Sequence, residues 1–362
     1  MNILVHLVHP AHFHLYKNAM INWQNNGHNV FIVINAKDSL EGLLKNSNLP
    51  YFNVSTKKRD KKKKFLMMYD IFVRTLKIVF FSFKNKIDIL TGSSVEAIYA
   101  GWFLRKPAIG VGEDDDAAIP LYTKAVDKFL KIMLVPTTCD KGKLNDRTVK
   151  YSGYQELAYL HPNHFTPDKK IVEKYFSVEK NYFIIRFAKL NAHHDSGIQG
   201  INTETAQKIV DILKPHGDIY ITSERELEPQ FEQYRIKINP LDMHHVMAFA
   251  QIYIGDSQTM AAEAGVLGVP FVRFNDFVGR IGYLRELEEY YNLGYGIKTN
   301  ELEKLYSTVN ELVTMNNRKE IFEGRRKKML SEKIDYAKFL TWFIENYPES
   351  KKIMQENAEF QT

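Results

Sequence analysis

IYIGDSQTMAAEAGVLGVPFVR, residues 252–273, reads as a strand, a turn, a helix and a second strand in succession. Ile252, Tyr253 and Ile254 make a short apolar strand, and Gly255 permits a sharp turn. Asp256 or Ser257 then offers a side-chain oxygen to cap the following helix. The N–H groups of a first helical turn lack intrahelical partners and point outward, so this segment suits an anion such as a diphosphate. Ala261, Ala262, Ala264 and Gly265 are small enough to let the helix lie close on a sheet. Gly268 and Pro270 end it before a strand over 271–274. Glu263 stands beyond the anion-binding start, where a carboxylate can accept hydrogen bonds from two vicinal hydroxyls, as acidic residues do for a ribose. The plainer reading of Glu263 is a solvated helix residue.

The same alternation runs outward in both directions. Apolar periodicity predicts strands over 2–8, 29–35, 87–90, 108–111 and 132–135, with helices over 13–25, 40–45, 94–104 and 121–129 between them. The pattern pauses at SGYQELAYLHPNHFTPD, residues 152–168, where glycine and prolines make an irregular connection. It resumes with a strand over 182–185, a helix over 203–213, a strand over 218–222 and a helix over 243–250. Strands separated by helices imply parallel sheets covered on both faces. The expected organisation is a doubly wound domain over 1–155, a linker over 156–170 and a second such domain over 171–333. A final helical segment over 334–362 carries Phe339, Trp342 and Phe343 at helical spacing and is expected to return to the first domain.

With 362 residues and 44% hydrophobic content, the chain can build two cores. No run approaches the roughly 20 apolar residues of a membrane span, and the N-terminus enters a strand directly instead of a signal peptide. A cytoplasmic protein is expected, and the single Cys139 excludes an internal disulfide or a cysteine-rich metal site. The net charge of +6 is concentrated in one run, Lys57, Lys58, Arg59, Lys61, Lys62, Lys63 and Lys64, interrupted by Asp60. The remainder is neutral, which argues against a nucleic-acid partner. An apolar segment over 65–86 follows, and a basic run beside an apolar helix is a form of peripheral attachment to an anionic membrane surface. A solvated loop before a buried helix explains the same run more plainly.

Three segments, HPAHFHLYK (residues 9–17), GYQELAYLHP (153–162) and GDSQTMAAEAGVLGVPFVR (255–273), carry a resemblance that spreads over most of the chain. It resembles domain-of-unknown-function family 354 and, more broadly, the GT-B fold of many glycosyltransferases and of the non-hydrolysing UDP-N-acetylglucosamine 2-epimerases. The resemblance implies an α/β, GT-B-like protein with two doubly wound Rossmann-like domains facing a cleft. It further implies a nucleotide-sugar, expected to be UDP-linked, held mainly by the C-terminal domain, with no separate cofactor and no metal. Ser257, Gln258 and Thr259 would then meet the diphosphate and Glu263 the ribose. Arg186 would neutralise a phosphate, its alternative being a surface ion pair, and Ser223 would line the base or phosphate pocket.

The N-terminal domain offers the catalytic candidates. His12 follows the first strand, where ligands of such sheets bind, and can act as a general base or hold a phosphate. His6, His9 and His14 compete with it for that role. Glu113, Asp114, Asp115 and Asp116 repel one another, so at least one is expected to have a modified pKa or to be held by a cation. Glu113 aligns best with the acidic position after the same strand in the epimerases, and Asp115 comes next. A metal at Asp114 and Asp116 is discounted because the surrounding chain resembles GT-B; an acidic first helical turn is the ordinary alternative. The epimerases carry a functional histidine in the loop after Arg186, so the resemblance implies His193 or His194, beside Asp195, as a further phosphate contact or acid. The epimerase pattern has a second acidic cluster, and residues 121–126 contain none.

These readings favour a glycosyltransferase that moves a sugar to an acceptor hydroxyl on a glycan or lipid-linked partner, in surface polysaccharide or glycolipid assembly. Its alternatives are a UDP-sugar 2-epimerase or hydrolase, and a non-catalytic nucleotide-sugar-binding protein.

Overall fold

Largely apolar runs such as ILVHL and IYIG suit strands buried on both faces, and in the computed structural model they lie in the interior of two parallel sheets. The structure describes residues 1–35, 40–55, 64–188, 200–357 and 360. Lys57, Lys58, Arg59, Lys61, Lys62 and Lys63 lie outside the described residues, as do His193, His194 and Asp195. The chain divides into one unit of Met1–Tyr159 with Ile334–Thr362 and another of Leu160–Lys333.

The first unit holds β1 (Asn2–Leu7), β2 (Asn29–Ile34), β3 (Tyr51–Asn53), β4 (Ile89–Gly92), β5 (Ala108–Val111), β6 (Ile132–Pro136) and β7 (Thr148–Tyr151). Their order is β3-β2-β1-β4-β5-β6-β7, with every pairing parallel. Strand order reverses between β1 and β4, and that crevice is where doubly wound sheets bind ligands. Helix Pro10–Asn25 starts three residues earlier than periodicity suggests, because Pro10 is tolerated in a first turn and His9 supplies the cap. Tyr336–Glu345 packs on this helix: Trp23 Nε1 donates to the Thr341 carbonyl at 3.3 Å, and Tyr336 stacks on Tyr151 at 4.3 Å.

The second unit holds β8 (Tyr182–Phe187), β9 (Asp218–Ser223), β10 (Ile252–Gly255), β11 (Phe271–Phe274) and β12 (Gly294–Ile297). The order is β12-β11-β10-β8-β9, again all parallel, with the reversal between β8 and β10. Helix Gln258–Leu267 lies close on its sheet as its small residues suggest. A Cβ at Gly265 would come within 2.8 Å of the Phe271 ring, and Gly268 ends the helix in the left-handed region at φ 81°.

Candidate functional site

At the reversal in the second unit, Gly255 pairs with Arg186. The glycine is needed for space rather than for a turn: a Cβ there would stand 2.6 Å from the Tyr253 hydroxyl and 3.0 Å from the Arg186 Cβ. Ser257, not Asp256, caps the next helix, its hydroxyl accepting from the Met260 amide at 3.5 Å. Asp256 turns inward and accepts from the Ala188 amide at 2.6 Å and the Ile201 amide at 3.3 Å, while Asn275 Nδ2 donates to the Asp256 carbonyl at 3.0 Å. Burial raises its carboxyl to about 6, although Arg225 and the two backbone donors pull the other way. Asp256 therefore holds the ends of β8 and β10 in register behind the helix start. Gln258 and Thr259 form the first turn, and Gln258 Oε1 is buried without a hydrogen-bond partner.

The basic residues nearby are arranged by short-range pairing. Arg186 donates through Nη2 to Glu224, so the ion-pair alternative is what this structure displays, while its Nε remains buried without a partner. Ser223 is used in a tight turn: its hydroxyl donates to the Arg225 carbonyl at 2.7 Å and accepts from the Arg225 amide at 3.1 Å. Arg225, which sequence reading passes over, lies 4.7 Å over the Phe187 ring and donates to the Ile201 carbonyl at 2.6 Å. Glu263 is buried rather than solvated, with Oε1 3.0 Å from His244 Nε2. Arg186, Ser223, Ser257, Gln258 and Thr259 thus gather at one sheet edge, whereas Glu263 lies deeper along the helix.

At the matching edge of the first unit, all four early histidines make local contacts. Burial lowers His6 to about 4, and its Nδ1 is 2.5 Å from Ser94 Oγ. His9 caps the first helix, and the His14 ring is 5.4 Å from Tyr159. His12 sits half-buried in the first turn of that helix, its Nδ1 accepting from the Val8 amide at 3.4 Å.

The acidic run precedes helix Pro120–Val126, whose first turn contains no acidic residue, so a helix dipole does not account for it. Asp115 Oδ1 accepts from the Asp140 amide at 2.5 Å, and the Asp116 amide donates back to the Asp140 carbonyl at 2.8 Å. Buried Lys141 donates to the Asp114 carbonyl. These bonds tie the loops after β5 and β6 together and commit Asp115 to positioning. Glu113 stays out of that lattice. Its Oε2 is buried without a hydrogen-bond partner, and its pKa is raised well above 4.5, by burial first and then by Glu156 and Asp114. The Gln155 amide and Lys141 oppose the shift.

Glu156, only 1% exposed, is therefore a second buried carboxylate close enough to act on Glu113, from the loop after β7. Within GYQELAYLHP nothing local marks Glu156 for a role, because TVKY (β7) lacks the apolar run of the central strands and so does not place the following loop at the sheet edge. Since β4 lies between β1 and β5, the segments bearing His12 and Glu113 leave the sheet roughly 10 Å apart. Among the described residues, no group of three or more histidine, cysteine or acidic side chains is placed to hold a metal ion.

Two parallel, doubly wound sheets, each reversing its strand order once, define a GT-B-type protein with two Rossmann-like domains. Solved structures over nearly the whole chain agree. It is similar to the UDP-GlcNAc 2-epimerase from Neisseria meningitidis bound to UDP-GlcNAc, at 15% identity and TM-score 0.63, covering 99% of each chain. It is similar to the spinosyn rhamnosyltransferase complexed with spinosyn aglycone, at 13% identity and TM-score 0.62, covering 96% of this chain and 100% of the other. A third similar structure is the glycotransferase of kitacinnamycin, at 12% identity and TM-score 0.59, covering 95% and 98%. The chain belongs to the family described as protein of unknown function DUF354, whose model matches residues 1–338. Comparison with curated proteins gives no match.

Proposed function

We propose that this protein is a metal-independent glycosyltransferase that takes a sugar from a UDP-linked donor to an acceptor hydroxyl, on a glycan or lipid-linked acceptor, in surface polysaccharide or glycolipid assembly. The observation that carries this reading is Glu113: a carboxylate at a sheet edge with one buried oxygen left unsatisfied and a raised pKa. Such a group has the basicity to take the proton of an acceptor hydroxyl as the new bond forms. His12, across β4, is the second proton-handling group or a phosphate contact.

The donor would be held by the second unit. The Gln258 and Thr259 amides and the Ser257 hydroxyl supply hydrogen bonds at a helix start, and Arg186 supplies charge once Glu224 yields it. Glu263, oriented by His244, would take the ribose hydroxyls. Ser223 would help shape the same pocket through its turn. Negative charge developing on the departing diphosphate is stabilised there by fixed dipoles, which is where most of the rate would originate.

One observation favours a second reading. Glu156 brings a second carboxylate beside Glu113, from a different loop than the one the epimerase pattern uses. Two neighbouring carboxylates can remove a proton and return it, as an epimerisation requires.

A thermal-shift screen with UDP, GDP, CMP and dTDP and their sugars, followed by product analysis, separates these readings. UDP is expected to stabilise the protein, and Glu263→Ala to weaken that binding about ten- to a hundredfold. Nucleotide release that requires an acceptor supports the transferase, and acceptor-free conversion of the sugar supports the epimerase. Binding without turnover would leave a nucleotide-sugar-binding protein, and stabilisation by no nucleotide would overturn the whole assignment.

A further inference from the structure

Helix Lys64–Lys84 of the first unit is apolar on two sides. Its inner side buries Thr75, Ile78 and Ser82, with Ile78 in one cluster with Leu90 and Ala100. With about 100° between successive residues, Met68, Phe72, Leu76, Val79, Phe80 and Phe83 fall together on roughly a third of the circumference, and no charged residue interrupts them. Leu76 and Val79 on this arc are partly buried, and its other four residues are open: Met68 is 67% exposed, Phe72 52%, Phe80 70% and Phe83 80%. Trp102 and Phe103, near the end of the packed neighbouring helix Val95–Leu104, are also exposed. Aromatic side chains left in water over such a stretch lack the reason that burial gives the rest of the core.

The charges around this face sort into two groups. Arg74 is 2.7 Å from Glu96, and Lys77 donates to the Val54 and Ser55 carbonyls at 3.2 and 3.0 Å, so both serve the fold. Lys84, Lys86, Arg105 and Lys106 are exposed and lie at or just after the ends of the two helices, where the adjacent strands β4 and β5 begin. Asp88 lies within this group, 4.0 Å from Lys106. Lys57 to Lys63 precede the helix in sequence but lie outside the described residues, so the surface is defined without them.

We propose that this face lies flat on an anionic lipid bilayer, with the rings of Phe72, Phe80, Phe83 and Trp102 at the boundary between headgroups and acyl chains. Lys84, Lys86, Arg105 and Lys106 meet the anionic headgroups beside them. No described helix is long and apolar enough to cross a membrane, so this contact rests on the surface. A two-fold pairing of two copies through the same face would bring the basic group towards its own copy, whereas anionic lipid neutralises it. The surface is independent of the reaction assigned above.

Flotation of the full chain with vesicles of phosphatidylcholine, or of equal parts phosphatidylcholine and phosphatidylglycerol, tests it. The protein should bind the phosphatidylglycerol vesicles, less so as salt rises, and F72S/F80S/F83S should bind at least about tenfold more weakly with an unchanged melting curve. Should that variant not fold, K84Q/K86Q/R105Q/K106Q should fold and lose the preference for phosphatidylglycerol. Absence of vesicle binding by the unaltered chain, unchanged binding by the folded aromatic variant, or an unchanged preference in the lysine and arginine variant would each overturn it. So would a dimer of the unaltered chain that the aromatic substitutions dissociate, since a second copy would then be the occupant.

Discussion

Glu113→Gln should reduce turnover by about 10²–10⁴-fold while leaving the protein at least as stable at neutral pH. Glutamine keeps the size of the side chain and an oxygen to accept from the Gln155 amide, but it cannot take a proton. The stability expectation follows from the direction of the shift. The native state raises the Glu113 pKa well above 4.5, so it holds that proton more tightly than the unfolded chain does. The stability linked to that proton is complete below about 4.5 and is lost as pH rises through the native value. At neutral pH the substitution removes this loss, and below the ordinary carboxylate range the two proteins should melt alike. Activity of the unaltered protein should rise across the raised native pKa as the base ionises. Melting curves and turnover measured against pH check both parts; undiminished turnover in Glu113→Gln would remove Glu113 from the chemistry.

Glu288→Ala should destabilise the protein by about 3–5 kcal/mol, which for a unit of this size is a fall in Tm of roughly 10 °C. Arg273 is fully buried on β11, and its Nε donates to Glu288 Oε1 at 2.9 Å, with Nη2 at 2.7 Å from the same oxygen. Burial nevertheless raises the Glu288 pKa, because desolvation outweighs the attraction of Arg273. The pair is therefore held in place by folding more than it drives folding. Removing the carboxylate alone strands a guanidinium in the core, whereas Arg273→Met with Glu288→Leu should recover most of the loss. Chemical denaturation of the two single variants and the double variant measures the coupling. A single substitution that costs no more than its surface equivalent would show that water reaches Arg273.

The central strands and the helix start at Ser257 are legible in the chain because each depends on neighbours in sequence. A strand buried on both faces is apolar almost throughout, as IYIG and ILVHL are, the latter with His6 as its one polar side chain, and a helix that approaches a sheet closely needs small residues such as Ala261, Ala262, Ala264 and Gly265. Tyr51–Asn53, Thr148–Tyr151 and Gly294–Ile297 lack that signature. Each is three or four residues long at a sheet edge, where one neighbouring strand supplies the pairing that local composition does not declare.

The same division holds for the candidate site. Glu113 stands out in the chain because four adjacent acids cannot all be comfortable ionised, and the family resemblance points to the same position. Which of the four is desolvated, and which is tied to a neighbouring loop, depends on Asp140, Lys141 and Glu156, residues 25 or more positions away from their partners or joined only by the order of the strands. Side-chain type and local spacing settle the doubly wound architecture and the helix start, and the family rests on the match over residues 1–338. The pairing of Glu113 with Glu156, the inward turn of Asp256, the burial of Glu263 against His244 and the open aromatic face of Lys64–Lys84 exist only after folding, because burial and proximity are properties of distant segments brought together and not of any one segment's composition.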